Sequence, residues 1–163
     1  MNTIVKSVAL AGLLLLAAGG ASAGVTVTFA HPENYGDMPI ASWDREQVLK
    51  ELSDHFAKMS KKLPPGQDLR IEVLDLDLAG RIRHNFRNGD DIRVLSGRAD
   101  WPRMVIRYSL ESNGQVINSG EDQLRDMMYM DHINPYFDGE PLRYEKRMID
   151  DWFKEKFGIG RHG

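Results

Sequence analysis

Taken as a pattern of apolar and polar positions, the chain opens on its longest apolar run, Val8 to Ala18, built around Leu13-Leu14-Leu15-Leu16. Lys6 precedes the run and Ala21-Ser22-Ala23 follows it as a small-x-small cleavage pattern, so residues 1–23 read as a secretory signal peptide. The run is too short for a permanent bilayer anchor. No second long apolar segment follows, and no Cys near the cleavage site offers a thiol for a lipid. The expectation is an exported chain, periplasmic or secreted, whose mature part starts at Gly24 and carries no transmembrane segment.

Beyond this leader the period changes. Gly24 to Phe29 alternates β-branched, aromatic and polar residues, which predicts a strand. His31 to Ile40, with two Pro and one Gly, forms a loop. Ser42 is placed to cap a helix, with Asp44 and Glu46 near its positive end. Val48, Leu52, Phe56, Met59 and Leu63 recur at spacings of four, four, three and four, one apolar stripe. Lys58, Lys61 and Lys62 suit the negative end, and Pro64-Pro65-Gly66 stops the helix.

Leu69 to Leu78 predicts a second strand whose phase changes midway. Ile71 and Val73 share one parity, whereas Leu74, Leu76 and Leu78 share the other. Either a bulge resets the pleat or the middle is buried on both faces. Arg81 to Arg98 has no clean period and reads as a long connection, with at most a short strand at Asp91 to Leu95. Pro102 to Glu111 is a strand with Met104, Ile106, Tyr108 and Leu110 on one face. Asn113-Gly114 is a strong hairpin signal, and Gln115 to Leu124 returns as the partner strand, extending toward Tyr129. After a loop at Pro135 to Gly139, Leu142 to Phe157 predicts a second helix with Met148, Ile149, Trp152, Phe153 and Phe157 on its apolar face.

The order β-α-β-loop-β-β-α predicts an α+β two-layer sandwich, a mainly antiparallel sheet with both helices on one face. One domain spans residues 24–157, and the Gly-rich residues 158–163 form a flexible tail. The pattern leaves strand order open.

Composition narrows the function classes. Without the leader about 140 of the 163 residues remain, enough for one core without covalent staples. There is no Cys, so disulfides, thiolate chemistry and Cys-based metal sites are excluded. Losing Lys6 takes the formal charge from −3 to −4, an acidity that argues against a nucleic-acid binder.

Several stretches together resemble a family of exported proteobacterial proteins catalogued as domain of unknown function 3016. They are Val25 to Phe29, Leu63 to Gln67, Ile71 to Gly80, Pro102-Arg103, Ser119 to Glu121, Leu142 to Met148 and Asp151 to Phe153. The resemblance covers essentially the whole mature chain in order. Met127 to Met130 and Asn134 to Phe137 depart from it. The resemblance implies an exported single domain and brings no activity, ligand or catalytic residue with it.

Three constellations carry candidate chemistry. Asp75 and Asp77, two apart on a strand, present both carboxylates to one face. They suit either a hard cation or cross-strand pairing with Arg103 and Arg107. Between Arg81 and Arg107 the chain carries seven Arg against three Asp. Arg81, Arg83, Arg87, Arg93 and Arg98, with His84 among them, suit phosphate or carboxylate recognition by bidentate bonds. The plainer reading neutralises them with Glu72, Asp75, Asp77, Glu121 and Asp122. Met127, Met128 and Met130 with His132 suit Cu(I), or else the thioethers fill core gaps beside Tyr129 and Ile133.

Of the five His residues, no two share a ligand-like spacing on one element, and His55 reads as half-exposed beside the first helical stripe. There is no G-x-S-x-G elbow. Trp43, Trp101 and Trp152 read as core or domain-edge packing. The expectation is a non-catalytic binding module with no cofactor. Its Arg-rich surface would meet an envelope protein or an anionic envelope polymer. The alternatives are a small metal-dependent hydrolase centred on Asp75 and Asp77, and a Cu(I) binder at the Met cluster.

Overall fold

The computed structural model describes residues 23–84 and 91–159; the side chains of His84 and Asp91 fall outside that description, as do residues 1–22 and 160–163. Among the described residues, in chain order, are β1 (Gly24–Phe29), α1 (Ser42–Ser60), β2 (Gln67–Asp77), β3 (Arg81–His84), β4 (Asp91–Val94), β5 (Arg103–Ser112), β6 (Gln115–Arg125) and α2 (Arg143–Phe157). Four strands form one sheet in the order β1-β2-β5-β6, and β3 pairs with β4 in a separate hairpin. β1 runs parallel to β2 because the chain crosses between them through α1, whereas β2–β5 and β5–β6 are antiparallel. The result is an α+β sandwich.

The phase change in β2 is a bulge. Val73 pairs with Ile106 and Asp75 with Val105, so Leu74 is the extra residue. Leu69, Ile71 and Val73 before it, and Leu76 and Leu78 after it, are all buried. They meet Met104, Ile106, Tyr108 and Leu110 of β5 on the helical side, where Leu52, Phe56 and Met59 of α1 and Met148, Ile149, Trp152 and Phe153 of α2 complete the core. Trp152 packs edge-on against Phe153, with centroids 5.0 Å apart, and against Tyr108 at 5.5 Å; Phe56 reaches Phe153 at 6.3 Å. Asn113 and Gly114 have φ of 51° and 79°, the pair of positive values that a type I′ hairpin turn requires.

Five expectations change. Ser42 is the first residue of α1 and makes no capping bond; Ala41 occupies the cap position. Trp43 is exposed, because it precedes Val48 by five residues and so lies roughly 140° round the helix from the apolar stripe. His55 is buried, because α2 packs beside α1 and covers the flank of that stripe. The region from Arg81 holds a strand, β3, where a connection is expected; it pairs with β4, which falls where the short strand at Asp91 to Leu95 is expected. β3 is only four residues long, too short to display a period. β6 stops at Arg125 instead of running toward Tyr129. The Asp126 carboxylate accepts the Met128 amide at 3.2 Å and turns the chain, so Tyr129 alone is buried while Met127, Met128, Met130 and Ile133 stay exposed.

Phe153 has no exposed surface and sits where both helices meet the sheet. Phe153→Ala is expected to destabilise the chain by about 3–5 kcal/mol, read as a lowered urea midpoint with an unchanged slope.

Candidate functional site

The Arg-rich segment is split by hairpin geometry. Arg81 pairs with Val94 and Arg83 with Ile92, so these four share one face; Ile82 pairs with Arg93 on the other. Arg81 and Arg83 are exposed. Arg93 is committed to the fold: its guanidinium donates to the Ala79 carbonyl at 2.6 Å and to the Asp37 carbonyl at 3.2 Å. The Ile82 amide donates to the Asp37 carboxylate at 3.3 Å. The hairpin is thus an arm fastened at its root by Arg93 and Asp37. Arg87 lies outside the described residues, and of His84 only the backbone position at the end of β3 is described.

Arg98 stands on a turn next to the same root. The buried Asp100 carboxylate accepts from the Ser96 amide (2.6 Å), the Ser96 hydroxyl (2.7 Å) and the Arg98 amide (3.0 Å), while its carbonyl accepts the Gly80 amide (2.8 Å). Burial pushes the Asp100 carboxyl up, but these bonds outweigh it and hold it below its ordinary value. Arg98 itself is exposed.

Arg103 and Arg107 belong elsewhere, on the sheet face away from the helices. Arg103 is bonded to Asp77, and Arg107 bridges Glu72 (2.8 Å) and Glu121 (3.2 Å). Asp75 lies on this face beside Asp77, opposite Val105. Glu72, Arg107 and Glu121, with Thr26, Thr28, Arg70, Ser109 and Ser119, border a shallow trough of about 580 Å³; Asp75, Asp77 and Arg103 lie outside it. Its charges alternate in sign across neighbouring strands. Among the described residues, no three His, Cys, Asp or Glu side chains come together as a metal site.

A buried polar seam between the helices carried no sequence signal. His55 Nε2 donates to the Asp150 carboxylate (2.8 Å) and also faces the Lys146 carbonyl (3.1 Å), and the Tyr136 hydroxyl donates to the other Asp150 oxygen (2.6 Å). Burial raises the Asp150 carboxyl, but the bonds from His55 and Tyr136 outweigh it and the net direction is down. Burial, reinforced by Asp150, raises the Tyr136 phenol far above its usual range. Nearer the arm, Glu145 accepts the Ala79 amide at 2.7 Å. Burial pushes its carboxyl up despite that bond. Glu145 lies at the back of a cleft of about 240 Å³ bordered by Arg93, Leu95 and Leu142. His55 reaches the seam through contacts from i to i+91 and i to i+95, and no local pattern encodes such pairs.

The fold and its surfaces define an α+β sandwich with one uncovered sheet face and a fastened cationic arm. The chain belongs to the family described as Protein of unknown function (DUF3016), whose model matches residues 23–155. No curated protein matches it. No helix among the described residues is long and apolar enough to cross a membrane.

Glu145 and Asp150 have opposite pH signatures. The raised Glu145 carboxyl contributes stability only at low pH, lost as pH rises above its unfolded value near 4.5. The lowered Asp150 carboxyl contributes stability above its unfolded value near 3.8, lost as pH falls through its folded value. Urea midpoints are therefore expected to be higher than wild type for Glu145→Gln at pH 7 and lower for Asp150→Asn. The Glu145→Gln gap closes as pH falls toward 4, and the Asp150→Asn gap closes at lower pH.

Proposed function

We propose that this protein is an exported, non-catalytic binding module that holds an anionic component of the cell envelope on its β3–β4 arm. Arg81, Arg83 and Arg98 supply the charge and the bidentate hydrogen bonds that phosphate and carboxylate groups accept. The observation that carries this reading is the division of labour along the arm. Arg93 fastens the root through two backbone carbonyls, which leaves Arg81 and Arg83 side by side on one exposed face. On the uncovered sheet face, by contrast, Arg103 and Arg107 already have carboxylate partners, and such a face suits solvation better than polyanion binding.

The test is retention of the processed protein on immobilised anionic envelope polymer over a salt gradient. Wild type is expected to elute only as salt rises, because exposed charges are screened within about 10 Å at 0.1 M. Arg81→Glu, Arg83→Glu and Arg98→Glu together are expected to abolish retention with an unchanged circular dichroism spectrum. Arg70→Glu, on the uncovered sheet face, should leave it intact. Equal retention of the triple variant and wild type would sink the proposal.

A further inference from the structure

The turn after β6 carries side chains whose exposure packing does not explain. Met127, Met128 and Met130 are 54 %, 56 % and 49 % exposed, while Tyr129 between them is buried against Tyr144, ring centroids 4.8 Å apart. Apolar side chains grouped on a surface call for a use.

The backbone brings some of these side chains together. The Met128 carbonyl accepts both the Asp131 amide (2.9 Å) and the His132 amide (3.3 Å), which makes residues 128–132 a single helical turn. Residues four apart in such a turn lie on one side, so His132 stands beside Met128. Tyr129 is buried, and Met127, the residue just before the turn, is exposed as Met128 is. Met130 goes the other way: its Sδ packs on Gly97, 3.0 Å from where a Cβ there would lie.

The imidazole is also held as a ligand would be. His132 Nδ1 lies 3.2 Å from the Asp126 carboxylate, which is itself buried and fixed by the Met128 amide at 3.2 Å. An Nδ1–H donated to a carboxylate sets the tautomer and leaves the Nε2 lone pair free, the arrangement that metal-bound imidazoles use.

We propose that Met127, Met128 and His132 form a surface site for a soft monovalent ion, Cu(I). Thioethers are soft, neutral donors that favour Cu(I), and imidazole joins them readily. Hard cations need oxygen ligands that this set lacks. The Asp126 carboxylate orients His132 and offsets part of the ion's charge. Met130 stands outside the ligand set.

An anaerobic titration of the purified protein with Cu(I) against the chelator bathocuproine disulfonate tests the site. The redox-inert Ag(I) ion serves as a second probe, and X-ray absorption reports the ligands. Wild type is expected to withhold one equivalent of Cu(I) with mixed sulfur and nitrogen ligation. Met128→Leu and His132→Gln should each weaken binding by about tenfold or more, and Asp126→Asn by about tenfold. Met130→Leu should bind as wild type does. Met128, Met130 and His132 are exposed and Asp126→Asn keeps the side chain's shape, and circular dichroism checks that each variant is folded. Failure of wild type to withhold either metal overturns the proposal. So do Met128→Leu and His132→Gln variants that bind Cu(I) as tightly as wild type, or a Met130→Leu variant that loses binding as they do.

Discussion

The bulge at Leu74 is the constraint on which the rest of the structure depends. β2 is the strand that pairs with both β1 and β5, and it ends at Asp77, four residues before the arm begins. A strand of uniform parity with Leu69, Ile71 and Val73 toward the helices would turn Leu76 and Leu78 to the uncovered face. One extra residue restores both to the core. It also sets Asp77 opposite Arg103 and delivers Ala79 to Glu145 and Arg93. The arm's root therefore inherits its position from a correction in the pleat seven residues before β3 begins.

Charge is handled differently on the two sides of the molecule. On the uncovered sheet face, Arg and carboxylate alternate across strands at the spacing that lets long side chains meet, and each exposed pair adds little stability. Along the arm, Arg93 works through hydrogen bonds to carbonyls whose position the backbone fixes. Such charge-assisted bonds are stronger and geometrically stricter than a solvated ion pair. The same residue type is thus structural at position 93 and exposed at 81, 83 and 98.

Between the helices the apolar packing is interrupted by paired polar groups. His55, Asp150 and Tyr136 satisfy one another, and Lys146 reaches Glu140 at 3.0 Å and Glu51 at 3.4 Å. A polar group left alone there would cost more than its bond contributes, so the seam ties the relative placement of α1, α2 and the loop carrying Tyr136. That loop continues from the Met turn, and the turn is held in its own right by Asp126 and Tyr129.

The sequence by itself determined the elements whose signal is local and repeated. The stripe from Val48 to Leu63, the alternation from Met104 to Leu110 and the Asn113-Gly114 turn each write their structure in period or backbone preference. Even the ambiguity of Leu69 to Leu78 was legible as a phase change, because parity is a property of neighbouring residues. Tertiary structure alone decided the strand order, the pairing of β3 with β4, the burial of His55 and the exposure of the methionines. β4 was legible as a short strand, but the four residues of β3 show too little period to be read. The burial of His55 depends on a partner some ninety positions away, and the methionines were set free when a single carboxylate, Asp126, ended a strand that hydrophobicity would have prolonged. The division of the arginines belongs with these: guanidiniums of identical chemistry differ in whether a carbonyl or a carboxylate stands within reach, and that is set by the path of the folded chain.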